Sequence, residues 1–120
     1  MAADCSVTII AEVTGLGIYT TLAEKFSVTT VPTKSATNRQ VQTTTDVAEL
    51  LNLCGIASPT LIIIKATTKG LSVDTKYVSS FVEKEYIPEG EVRILRGSSP
   101  IYLKNKISTE VFTCDYLIVG

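Results

Sequence analysis

The sequence predicts an all-β fold, an antiparallel β-sandwich with a possible jelly-roll arrangement, and two observations carry that prediction. Val, Ile and Thr number 12, 12 and 17 of the 120 residues, and branching at Cβ suits the pleated surface of a sheet better than a helix. Runs of these residues recur roughly every 8–15 positions with turn signals between them, and no long amphipathic helix intervenes. A chain of 120 residues fits one core better than two, so residues 1–120 are expected to form a single sandwich domain.

The elements follow in order. Ser6–Val13 opens with Val7-Thr8-Ile9-Ile10 and reads as a strand; Gly15-Leu16-Gly17 breaks it. The spacing of Ile18, Leu22 and Phe26 fits a helix or a strand, and the flanking β formers favour a strand or irregular segment ending at Pro32. Thr33–Asn38 reads as a loop. Arg39–Thr45 reads as a strand polar on both faces, which belongs at an edge or against a partner. Asp46 is placed to cap a helical turn over Val47–Leu53, closed by Gly55 and Pro59.

Thr60–Thr67 holds the most apolar run and is expected to be a central strand. Lys69-Gly70 turns into the alternating Leu71–Asp74. Ile87-Pro88-Glu89-Gly90 has the type I signature, with Pro second and Gly fourth. Glu91–Arg96 follows, then a turn at Gly97-Ser98-Ser99-Pro100, with Ile101–Lys104 as the partner strand of a hairpin. Glu110–Val119 is a last strand in which Phe112, Cys114, Tyr116 and Ile118 share a face. The expected buried set is Ile62, Ile64, Val92, Ile94, Phe112 and Tyr116.

Chemistry is sparse. Histidine is absent, which removes the Ser-His-Asp and Cys-His arrangements from a single chain. Glu83, Glu85, Glu89 and Glu91 surround a turn and read as solvated charge rather than a glycosidase pair. Gly15-Leu16-Gly17 lacks the rest of a nucleotide fingerprint. Asp74 and Asp115 have no run of acidic residues to complete a calcium loop, and three cysteines fall short of a thiolate zinc site. No cofactor, metal, catalytic residue or small-molecule substrate is expected. Cys5, Cys54 and Cys114 are odd in number, without the basic start and apolar stretch of a secretory signal, so reduced thiols are expected, with Cys54 and Cys114 buried. No run is long enough to cross a membrane as a helix.

The net charge of −1 gives no field to attract nucleic acid. Arg93, Arg96, Lys104 and Lys106 with Tyr102 resemble an oligonucleotide-binding face, but one aromatic is a thin stacking platform, and a solvated face or an acidic protein partner is the simpler reading. The expected contact surfaces are therefore the polar strand, through Arg39, Gln40, Gln42 and Thr44, and the hairpin carrying Arg93, Arg96, Tyr102, Lys104 and Lys106.

Four segments carry a family resemblance over residues 60–120: Leu61-Ile62-Ile63-Ile64-Lys65, Ile87-Pro88-Glu89-Gly90-Glu91, Ile101-Tyr102-Leu103-Lys104 and Tyr116-Leu117-Ile118-Val119-Gly120. In these the chain resembles the small β-sandwich structural proteins of tailed bacteriophage particles. The resemblance implies a non-enzymatic virion component, made in a host cytoplasm: a capsid auxiliary or decoration protein, or a head–tail or tail subunit. Its partners would be other virion proteins and further copies of itself. A ligand-binding sandwich, such as a carbohydrate module, is the rival; it usually displays exposed aromatics, and this chain has no Trp.

Overall fold

A computed structural model describes residues 3–96 and 100–120, so the turn expected at Gly97-Ser98-Ser99-Pro100 falls largely outside the described residues. The described residues form strands, turns and bends, with no helix. The chain divides into two compact units, residues 1–33 and 34–120.

The first unit is a hairpin of β1 (Ser6–Val13) and β2 (Thr20–Ser27), antiparallel over eight residue pairs from Ser6↔Ser27 to Val13↔Thr20. The ambiguous Ile18–Phe26 stretch is thus a strand for most of its length, in keeping with the β formers around it.

The second unit is the sandwich. Its strands are β3 (Ser35–Val41), β4 (Glu49–Leu50), β5 (Leu61–Thr68), β6 (Leu71–Asp74), β7 (Glu85–Ile87), β8 (Val92–Leu95), β9 (Tyr102–Asn105) and β10 (Thr113–Val119). Two four-stranded sheets, β3-β10-β5-β8 and β4-β9-β6-β7, are antiparallel throughout and pack face to face. The order has a simple origin. The outermost strands pair, β3 with β10, and each pair further inward follows: β4 with β9, β5 with β8, β6 with β7. The sandwich is therefore one long antiparallel ribbon, rolled so that successive pairs go to alternate sheets. Rolling adds the pairings β10 with β5 and β9 with β6. This is the jelly roll.

The period-two pattern of β5 and β10 builds the core between the sheets. Ile62, Ile64 and Ala66 alternate inward on β5, and Cys114, Tyr116 and Ile118 do so on β10. Leu71 and Val73 of β6, Ile87 of β7 and Leu103 of β9 face them from the other sheet, and Leu51, Leu95, Ile101 and Phe112 complete the core. Ile62, Ile64, Phe112 and Tyr116 are buried as expected. Val92 and Ile94 are not: Val92 is 50% exposed and Ile94 half-buried. In the β5–β8 register Ile62 lies opposite Leu95 and Ile64 opposite Arg93, so Leu95 points into the core and Val92 and Ile94 point outward. A register offset of one residue exchanges the two faces.

Four other readings are corrected. Ser35–Asn38 is strand rather than loop, because β10 supplies it with a full-length partner. Val47–Leu53 forms no helical turn; Glu49–Leu50 pairs with β9, and Leu51 donates its N–H to Ile101 O. Asp46 sits at φ +64° and caps a different segment, accepting from Asn105 Nδ2, Ser108 Oγ and the Thr109 N–H. The turn after Ile87 is shifted by one residue. Glu91 donates its N–H to Pro88 O, which puts Gly90 third, at φ +86°, where a type II turn demands glycine. Finally, Glu91–Arg96 and Ile101–Lys104 make no hairpin, since β8 and β9 lie in opposite sheets. The rolled ribbon requires that separation.

The core and the outward face make opposite predictions for truncation. Phe112→Ala should cost about 3–5 kcal/mol, whereas Val92→Ala should stay within about 0.5 kcal/mol. Urea denaturation of the two variants checks this, and similar losses for both would contradict the β8 register.

Candidate interaction surfaces

Edge strand β3 presents Arg39 on the outer face of its sheet. The guanidinium makes a bidentate pair with Asp115 of β10, Nε to Oδ1 at 2.6 Å and a second nitrogen to Oδ2 at 3.0 Å, and Thr67 Oγ1 donates to the same carboxylate at 2.9 Å. Arg39 first, and Thr67 second, hold the Asp115 carboxyl at about 2, against a desolvation effect of opposite sign. A shallow cleft of about 620 Å³ runs over this face, past Thr37, Ile63, Lys65, Val92 and Leu117. The face mixes one neutralised charge pair with a half-buried apolar row.

The inward side chains of the polar segment do something the sequence did not suggest. Gln40 donates from Nε2 to Leu50 O and accepts the Asn52 N–H. Gln42 is 3% exposed and donates to Val47 O and to Asn105 Oδ1. The backbone N–H groups of Thr43 and Thr44 both donate to Glu49 Oε2. These groups pin residues 43–53, which have little regular backbone pairing of their own. These polar side chains stitch the connection together within the subunit. Of the four expected contact residues, Arg39 and Thr44 are exposed, while Gln40 and Gln42 are committed inside the subunit.

The cations expected on one hairpin are divided between the sheets. Arg93 lies between Glu85 and Glu91, both at 2.9 Å, and Arg96 is exposed beyond the end of β8. On the other sheet, Tyr102 stacks on Tyr77 with ring centroids 3.8 Å apart. Lys104 lies over Phe81, and Lys106 pairs with Glu83 at 3.0 Å and lies over Tyr86. The partners Tyr77, Phe81 and Glu83 come from the connection between β6 and β7. Asp74 anchors that connection by accepting the N–H groups of Lys76 and Val82 at 2.9 Å each. Burial pushes the Asp74 carboxyl up, but these two donors and Lys84 outweigh it and the net shift is downward. Ser72 and Lys106 likewise draw Glu83 below its ordinary value. The cationic patch is thus largely balanced within the subunit, and only Arg96 among these arginines and lysines has no acidic or aromatic partner among the described residues.

The hairpin carries a group of exposed apolar side chains. The β1–β2 register puts Val7, Ile9, Ala11 and Val13 on one face with Phe26, Glu24, Leu22 and Thr20. The opposite face carries Ser6, Thr8, Ile10 and Glu12 with Ser27, Lys25, Ala23 and Thr21. Ile9, Val13, Leu22 and Phe26 are 38–54% exposed, and Leu16, Ile18 and Tyr19 in the connecting loop are 60–79% exposed. The alternation was present in the sequence, but its meaning depends on a pairing that the sequence left open.

The described residues contain no cluster of three or more His, Cys, Asp or Glu that could hold a metal ion, and no helix long and apolar enough to cross a membrane. All three cysteines are free. Cys114 is buried, and burial pushes its thiol up to about 12; Cys54, expected to be buried, is only half-covered at a turn position with φ +56°. No family model, curated protein or solved structure matches this chain.

The depressed carboxylates fix the sign of an acid response. A carboxyl held below its unfolded value of about 3.9 contributes stability above that pH and loses it as pH falls through the folded value. Asp115→Asn should therefore be less stable than wild type at pH 6, with the gap closing between about pH 4 and about pH 2. Urea midpoints across this range provide the check; a gap that stays constant would show that the Arg39 pair does not govern it.

Proposed function

We propose that this chain is a non-enzymatic structural subunit of a viral particle, a bacteriophage capsid auxiliary or decoration protein before a head–tail or tail subunit. One observation carries the reading: an eight-pair hairpin whose apolar face buries Val7 but leaves Ile9, Val13, Leu22 and Phe26 38–54% exposed. A two-stranded hairpin alone is at best marginally stable in water, and monomers rarely leave contiguous apolar patches uncovered without an interaction role. The jelly roll supports the reading by analogy of fold, since viral capsid domains use it, though so do lectins and cupins. The resemblance over residues 60–120 points the same way.

A carbohydrate-binding module would need free ring faces and uncommitted polar groups. A cleft of about 580 Å³ lined by Ser72, Phe81, Glu83, Lys104 and Lys106 offers some of each. Glu83 is already bonded to Ser72 and Lys106, and Lys104 and Lys106 each take one ring face. The cleft therefore favours the assembly reading.

Native mass spectrometry at micromolar concentration should give a defined multimer, and proteomics of purified particles should recover the chain at many copies. A free monomer together with recovery only in the soluble fraction would overturn the reading.

A further inference from the structure

We draw no further inference here: the strongest candidate, the partly exposed apolar face of the β1–β2 hairpin formed by Ile9, Val13, Leu22 and Phe26, carries none because nothing in the structure shows what covers it.

Discussion

The sandwich depends on the pairing of each strand with its mirror-image partner along a single ribbon. Once β6 and β7 meet, every outer pair is determined, and the two extra pairings follow from rolling the ribbon into two layers. β10 is where this constraint is tightest. It lies between β3 and β5 and gives alternate side chains to the core, so it satisfies two neighbours and one layer at once. The separation of Arg93 from Lys104 and the position of Arg39 at an edge both derive from that arrangement.

Within this frame the charged side chains act mainly on their own subunit. Arg39, Arg93 and Lys106 each have an acidic partner, and Asp74 and Asp46 hold backbone or polar side chains that would otherwise lack structure. Exposed pairs of this kind are screened by solvent and contribute little, so their role is to fix loops rather than to stabilise the whole. Gln42 shows the limit of the arrangement. Its amide nitrogen has two acceptors, while Oε1 has no partner among the described residues, which makes it a natural place for a bound water.

The fold class was legible because β-branched content and turn spacing are properties of local sequence, and the alternation in β5 and the last strand named Ile62, Ile64, Phe112 and Tyr116 as core correctly. The interaction surfaces were much less so. Gly97 to Pro100 reads locally as a turn, and nothing in those four residues says that the strands on either side belong to different sheets. Val92 and Ile94 alternate as a buried face would, but only the partner β5 decides which side of the strand is inward. Gln40 and Gln42 looked like the exposed side chains of an edge because their acceptors, Val47 O, Leu50 O and Asn105, are made available by the tertiary fold. The hairpin escaped for the same reason: six apolar residues on two strands share a face only after a register is chosen.

The two units also differ in how soon they can form. The hairpin closes over a six-residue connection, and hairpins of this kind form in about 1–10 μs. The outermost ribbon pair joins Asn38 to Tyr116 across 78 residues, and folds dominated by such distant contacts take milliseconds to seconds. The apolar face is therefore exposed well before the sandwich is complete, when collisions between unfinished chains are most damaging. Glu24, a charge set among apolar neighbours, is the kind of residue that discourages indiscriminate strand association. Its cost to the finished molecule is offset by the protection it gives the unfinished one.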